Sequence, residues 1–136
     1  MGQRLILDTN VLVALDRGAL DWQLFEVADL AVPAIVVAEL RVGVALAASA
    51  SVAQDREIAV SRILGALGVL DYTEATAGHH ARLIAHCRQR GAVRGAHDLI
   101  LAAHAAETGR LLVSHDAAAR FGDLPGVRAI APTAAG

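Results

Sequence analysis

Four acidic residues lie where a carboxylate is hard to explain as ordinary surface charge. Asp8 and Asp116 each follow a short apolar run, and Glu39 and Asp98 stand among apolar neighbours. Burying an unpaired carboxylate is costly, so each of these acids needs either a cationic partner or a polar cleft. A divalent cation such as Mg²⁺ partners several carboxylates at once, because it prefers oxygen ligands. The pattern therefore indicates a candidate metal site.

Each acid also has an ordinary structural interpretation. Three of them fit the start of a helix, where a side-chain oxygen caps free backbone N–H groups or the dipole favours an anion: Asp8, Asp98 and Asp116. Glu39 alternatively forms a surface ion pair with Arg41 or Arg56. The metal interpretation therefore depends on whether the fold brings the four acids to one place.

The elements that must position these acids alternate along the chain. Short, almost purely apolar runs predict strands at residues 5–7, 30–32, 69–72, 111–113 and 127–130. Helical patterns occupy about 11–18, 20–27, 34–48, 55–67, 75–90 and 97–108, with a short helix near residue 116 and a loop at 48–53. Such alternation predicts a parallel sheet with helices on both faces. Ligands of such sheets bind beyond the carboxyl ends of the strands, which is where Asp8 and Asp116 fall.

Composition narrows the class of protein. The chain has 136 residues, 55% of them hydrophobic, and we expect one domain over residues 1–136. All 12 basic residues are arginines, so a P-loop NTPase and a Schiff-base enzyme are excluded because each needs a lysine. The net charge of -2 indicates that any nucleic acid is held locally. With neither a secretory signal nor an apolar stretch of membrane-spanning length, we expect a cytoplasmic protein.

Five motifs resemble those of PIN-domain nucleases, especially the VapC toxins of bacterial toxin–antitoxin pairs. The opening strand and turn of that family resemble LDTNVL at residues 7–12. Its second and third acidic motifs resemble AELRVG at 38–43 and AHDLILAA at 96–103. The fourth motif and the closing segment resemble LVSHD at 112–116 and FGDLPGV at 121–127. The resemblance covers essentially the whole chain.

This resemblance implies a PIN-like three-layer α/β/α sandwich with a mostly parallel five-stranded sheet in the order 3-2-1-4-5. It further implies a homodimer, RNA as the substrate, and a cognate VapB-type antitoxin that blocks the site. Many relatives have a further acid after the fourth motif, whereas alanines stand at residues 117–119 here. That departure leaves open whether one or two ions bind.

On this basis we expect hydrolysis of RNA phosphodiester bonds with Mg²⁺ or Mn²⁺ as the cofactor. The metal ligands, direct or through water, are predicted to be Asp8, Asp98 and Asp116. Glu39 is expected to be a further ligand or the base that orients the attacking water. Crowding of like charges should raise at least one carboxyl pKa.

Supporting and RNA-binding residues are predicted around this centre. Thr9, Asn10 and Ser114 are expected to support the acids, although Asn10 fits an ordinary helix cap equally well. The predicted contacts to RNA phosphates are three arginines before the third motif: Arg88, Arg90 and Arg94. A solvated helix end, with cations favoured by the dipole, explains the same arginines equally well.

Two rival functions remain open from the sequence. The first is a non-catalytic protein-interaction module on a PIN-like fold, whose acids only cap helices or pair with arginines. The second is a haloacid-dehalogenase-like phosphatase, which also places aspartates after strands. That enzyme needs a second aspartate two residues after the first and a lysine, whereas this chain has Asn10 and no lysine.

Overall fold

Five short parallel strands form one sheet at the centre of the molecule. The structure is a computed structural model that describes residues 2–132. The strands are β1 (Arg4–Leu7), β2 (Asp29–Pro33), β3 (Gly68–Leu70), β4 (Leu111–Val113) and β5 (Ala129–Ile130). They pair in the order β3-β2-β1-β4-β5, and every pair is parallel. The expected fold class and strand order are therefore confirmed.

Within residues 2–132, five α-helices connect the strands and cover both faces of the sheet. They are α1 (Thr9–Asp16), α2 (Ala34–Ala45), α3 (Ala50–Leu64), α4 (Glu74–Gln89) and α5 (Ala96–Thr108). The principal helix pairs are α2 with α3 and α4 with α5. The core between these layers is built on β1 and β4, whose side chains from Leu5 to Leu7 and from Leu111 to Val113 are all buried. Burial on both faces explains why these strands are continuous apolar runs instead of alternating ones.

The central pair of strands fixes the position of the site. In the register of β1 and β4, Leu7 lies opposite Val113. Beyond that pair the Asp8 backbone N–H donates to Val113 O at 3.0 Å. The two residues that leave the strands, Asp8 and Ser114, therefore start side by side at the carboxyl edge of the sheet.

The region predicted as a loop at residues 48–53 is partly helical. Helix α2 ends at Ala45, and α3 begins at Ala50, earlier than the expected residue 55. The reason is a helix cap: Ser49 Oγ accepts a hydrogen bond from Val52 N at 3.2 Å. The small and polar residues that resembled a loop are the cap and first turn of α3.

Two other predicted helices are single 3₁₀ turns. The segment predicted as a helix at 20–27 contains only the turn Trp22–Phe25, which starts where Asp21 Oδ1 accepts from Gln23 N at 2.9 Å. The predicted short helix near residue 116 is the turn Ala117–Ala119. The two turns have four and three residues, the usual length of 3₁₀ helices.

No helix within residues 2–132 is both long enough and apolar enough to span a membrane. A single domain over residues 1–136 stays a prediction, and Met1 and residues 133–136 lie outside the described part of the chain.

Candidate active site

Asp8 is held in place by the turn from β1 into α1. It is the N-cap of α1, and its Oδ1 accepts a hydrogen bond from Thr9 N at 2.7 Å. Its other oxygen, Oδ2, accepts from Ser114 Oγ at 2.8 Å. The carboxylate is therefore fixed by both central strands, because Ser114 directly follows β4.

Ser114 and Asn10 join the residues that follow the two strands. Ser114 Oγ accepts from Asp116 N at 3.0 Å, so one hydroxyl links Asp8 to the backbone of Asp116. Asn10 Nδ2 lies 3.4 Å from Asp8 Oδ2 and 3.5 Å from Ser114 Oγ, and its Oδ1 accepts from His115 N at 3.0 Å. Asn10 thus bridges the two strand ends, while Asp8 is the helix cap.

Glu39 on α2 and Asp98 on α5 complete the group of acids. The pKa of Glu39 is raised, above all by burial and also by the charges of Asp8 and Asp98, while His97 offsets part of the rise. The pKa of Asp98 is raised by burial first and then by Asp8 and Asp116. The expected rise in a carboxyl pKa thus occurs at two of the four acids. Charge effects therefore link Glu39 to Asp8 and Asp98, and Asp98 to Asp8 and Asp116, and we call these four residues the acid cluster.

Gly95 and Thr9 lie next to two of the acids. A Cβ on Gly95 would lie 3.3 Å from Asp98 Oδ2, so a glycine there lets the first turn of α5 start beside this carboxylate. The Thr9 hydroxyl is near enough to Glu39 to lower its pKa, yet no hydrogen bond of normal geometry reaches its buried Oγ1. The Thr9 hydroxyl therefore lies beside the Glu39 carboxylate and acts on it.

The ordinary structural interpretations hold for some of the acids. Asp8 caps α1 and Asp98 lies in the first turn of α5. Asp116 caps its 3₁₀ turn, because its Oδ1 accepts from Ala119 N at 3.1 Å. Capping and clustering thus occur together, and capping alone does not explain why the acids converge.

The alternative interpretation of Glu39 is wrong. Arg41 instead pairs with Glu57 at 2.9 Å, and Arg56 donates to the backbone oxygen of Gly43. Within residues 2–132, no salt bridge reaches either Glu39 or Asp98.

The donor set suits a hard divalent cation. It consists of carboxylate oxygens with a threonine and a serine hydroxyl nearby, and Mg²⁺ and Mn²⁺ take oxygen ligands of this kind. Among the described residues, no three His, Cys, Asp or Glu side chains are placed closely enough to form a ready-made metal-binding group.

The three predicted RNA-binding arginines occupy different positions. Arg94 lies beside the acid cluster, lowers the pKa of Asp98, and donates from Nη1 to the backbone oxygens of Ala119 and Arg120. Arg88 and Arg90 are exposed at the end of α4, where Arg90 Nε donates to a histidine of the same helix at 3.4 Å. Of the three, only Arg94 lines a cavity together with the acids.

Sequence reasoning missed Arg120, which lines the same cavity as Asp98 and Asp116. It is the only non-glycine residue of the described chain with a positive φ, at 48°. Nothing in the flanking alanines signals that conformation. The only cue in the sequence is an isolated arginine shortly after the fourth acidic motif.

Comparisons with known proteins agree with this architecture. Residues 5–125 match the family model described as the PIN domain. A search of curated proteins gave no match. Among solved structures, VapBC2 from Rickettsia felis bound to a DNA fragment from its promoter is similar, with a TM-score of 0.83 and 22% identity, covering 95% of this chain and 98% of that one.

Two further solved structures are similar over nearly the whole chain. DNA-bound VapBC from Salmonella typhimurium has a TM-score of 0.83 and 22% identity, covering 96% of this chain and 98% of that one. VapBC-5 from Mycobacterium tuberculosis, a member of the VapBC family of toxin-antitoxin systems, has a TM-score of 0.76 and 29% identity, covering 94% and 98%.

Proposed function

This chain belongs to the PIN domain family, and from that premise we propose that it is a metal-dependent ribonuclease that hydrolyses RNA phosphodiester bonds as the toxin of a VapBC-type toxin–antitoxin pair. The observation that carries this proposal is the acid cluster, which draws carboxylates from the ends of two strands and from two helices to one edge of the sheet. A purely structural role would give each of these acids a separate partner.

Three carboxylates of the acid cluster, those of Asp8, Asp98 and Asp116, would hold Mg²⁺ or Mn²⁺. When bound, such a cation lowers the pKa of a coordinated water and neutralises charge on the phosphate. Glu39, as a further ligand or as the base, is suited to accept the proton of the attacking water because its own pKa is raised. The water oxygen bonds to phosphorus as the bond from phosphorus to the leaving oxygen breaks, and the leaving oxygen takes a proton from solvent.

The supporting residues would act by orientation. Ser114 and Asn10 hold Asp8 through its Oδ2, and Ser114 also fixes the backbone of Asp116. Carboxylates held in this way need little rearrangement before they engage a cation. Thr9, whose buried hydroxyl lies beside Glu39 and lowers the pKa of that carboxyl, would orient Glu39.

RNA would be held by cations near the site, because the chain as a whole has a net charge of -2. Of the three predicted arginines, Arg94 lines the cavity beside the acids, where its charge would attract RNA phosphates while its Nη1 stays bonded to the turn after β4. Arg88 and Arg90 would contact phosphates farther along the strand, from the end of α4.

An antitoxin would block the site through the groove between α1, α2 and α3. This groove has a volume of about 500 Å³ and reaches from apolar side chains, among them Val13, Leu40 and Val60, to Glu39. A peptide with apolar residues and one basic side chain fits it, because the basic side chain would meet the acid cluster. We further propose that the protein acts in the cytoplasm, where its RNA substrate is found.

A homodimer is supported by apolar side chains at the edge of the sheet. Val69 on the edge strand β3 and Tyr72 just beyond it are 46% and 47% exposed. Exposed apolar side chains at an edge strand are typical of an interface. Light scattering at micromolar concentration tests this, with twice the chain mass expected.

Cleavage of RNA tests the proposed function. Single-stranded RNA and transfer RNA are incubated with the protein and with Mg²⁺, Mn²⁺ or EDTA. We expect cleavage that requires the metal and is lost in Asp8→Asn and Asp98→Asn, while both variants keep the fold by circular dichroism. The matched control is Asp55→Asn, an exposed acid on α3, which should cleave like the wild type.

Equal cleavage by Asp8→Asn, Asp98→Asn and the wild type would refute the site. If the wild type neither cleaves RNA nor responds to the metals in a thermal melt, the chain is instead the non-catalytic interaction module.

A further inference from the structure

A cavity of about 470 Å³ opens beside the acid cluster, between the α4–α5 loop and the turn after β4. Its lining includes Arg94, Gly95, Asp98, Asp116, Ala119 and Arg120. The lining thus combines two carboxylates of the proposed metal site with two arginines. This size is typical of small-ligand sites, and the mixed charge suits a group that is itself anionic and lies next to a cation.

The two arginines have different roles in this cavity. The guanidinium of Arg94 is committed to the protein, because its Nη1 donates to the backbone oxygens of Ala119 and Arg120. Arg94 therefore clamps the turn after β4 to the α4–α5 loop.

Arg120 is held in an unusual backbone conformation by that clamp. Its φ of 48° and ψ of 47° lie in the left-handed region, which is unfavourable for a residue with a Cβ. The hydrogen bonds from Arg94 to the carbonyls of Ala119 and Arg120 fix the turn in this conformation. The consequence is that the Arg120 side chain starts at the wall of the cavity.

The Arg120 side chain is available to a ligand. It is 71% exposed, and its Nε donates to Asp123 Oδ2 at 2.9 Å. An exposed ion pair of this kind contributes little, so an incoming phosphate can replace the Asp123 carboxylate. The guanidinium presents several N–H donors in a plane, which matches the oxygens of a phosphate.

We propose that this cavity binds the backbone phosphate next to the scissile one in single-stranded RNA, and that Arg120 is its principal ligand. The inference rests on the proposed ribonuclease function and names the path of the substrate through that site. In the free protein Asp123 holds Arg120, and in the complex the phosphate takes its place.

RNA binding tests this inference, measured by fluorescence anisotropy of a labelled single-stranded RNA. All proteins carry Asp8→Asn to prevent cleavage, and binding is measured with Mg²⁺ over a range of salt concentrations. The test variant is Arg120→Gly, because glycine adopts a positive φ freely and the fold should be kept or slightly stabilised. The control is Arg82→Ala, which removes the same charge from an exposed position on α4.

We expect Arg120→Gly to weaken binding about ten-fold, as loss of one charge-assisted hydrogen bond does. The slope of log K against log salt should fall by about 0.7, the value for one lost phosphate contact on a single strand. Asp123→Asn should tighten binding, because it releases Arg120 and removes a negative charge. If Arg120 only supported the turn, Arg120→Gly would leave the slope of log K against log salt unchanged. Asp123→Asn would then not tighten RNA binding.

Unchanged affinity and slope in Arg120→Gly, or an equal loss in Arg82→Ala, would overturn the inference. Cleavage assays on proteins without Asp8→Asn distinguish a failure of the phosphate subsite from a failure of the proposed ribonuclease function. If the wild type cleaves RNA and Arg120→Gly binds it normally, only the phosphate subsite is wrong. If the wild type neither binds nor cleaves RNA, the proposed function and the subsite both fail.

Discussion

Replacing Glu39 by glutamine should stabilise the metal-free protein, although it removes a residue of the proposed site. Glu39 has a raised pKa, caused by burial and by two like-charged neighbours, Asp8 and Asp98, with partial relief from His97. A carboxyl whose pKa is higher in the folded than in the unfolded state contributes favourably only when protonated, and its charge is unfavourable at neutral pH. Glutamine keeps the shape of the side chain and removes that charge.

Burial is the largest cause of the raised pKa of Glu39, and glutamine is buried at the same position, so we base the magnitude on the two like-charged neighbours. Each partly exposed pair contributes about 0.2–1 kcal/mol, and relief from His97 reduces the sum, so the expected gain is about 0.5–1 kcal/mol. For a chain of 136 residues this corresponds to a rise in Tm of about 2–4 °C at pH 7 in EDTA. The gain should disappear as the pH falls through the range where Glu39 is protonated.

The same substitution should weaken the response to metal. At Mg²⁺ ten times above its Kd, a site that exists only in the folded protein stabilises the wild type by about 1.4 kcal/mol. Glu39→Gln should gain much less, because one negative charge is gone from the acid cluster. Melting curves should therefore show two opposite effects of Glu39→Gln. In EDTA the variant should be more stable than the wild type, whereas Mg²⁺ should stabilise it less than it stabilises the wild type.

The matched control is Glu26→Gln, an exposed acid outside the acid cluster, which should behave like the wild type in both buffers. A Glu39→Gln protein that is less stable than the wild type in EDTA would refute the repulsion argument. A Mg²⁺ response equal to that of the wild type would refute a role of Glu39 in the metal site.

Other substitutions test separate parts of the structure. Ser114→Ala removes the hydroxyl that holds Asp8, so the rate of RNA cleavage should fall about ten-fold. A wild-type rate in a quenched cleavage assay would contradict this. Burial lowers the pKa of His104, so the wild type should lose stability relative to His104→Leu as the pH falls below about 6.5. Urea unfolding at pH 7.5 and 5.5 measures this difference. Equal losses of stability in the two proteins would argue against it. Arg94→Ala releases the clamp on the turn after β4, so amide hydrogen exchange over residues 117–123 should become faster; unchanged protection would mean that the clamp is unimportant.

Local sequence pattern was sufficient to single out the candidate acids of the proposed site. Asp8 was identifiable because it directly follows a short apolar run that predicted a buried strand, and Asp116 because it comes three residues after the apolar run at 111–113. Asp98 was identifiable because an acid among apolar residues of a helix requires a partner. Strand order could not be read from these patterns, and it came from the resemblance of the motifs.

The parts that the sequence could not predict depend on contacts distant in the chain. The left-handed conformation of Arg120 is fixed by Arg94, which lies on another loop. Buried Arg110 is a second example, since it donates to the backbone oxygens of Leu5 and Asp29. The early start of α3 was missed for a local reason, because Ser49 and the alanines around it fit a loop and a helix cap equally well.

The central claim is that the carboxylates of Asp8, Asp98 and Asp116, from three separate parts of the chain, share one divalent cation. Its most direct test is an anomalous difference map from a crystal of the protein grown with Mn²⁺. We predict a peak about 2.1 Å from carboxylate oxygens of Asp8, Asp98 or Asp116, with any remaining ligand of the three bound through water. A fully occupied Mn²⁺ bound elsewhere, or none at saturating concentration, would contradict the claim.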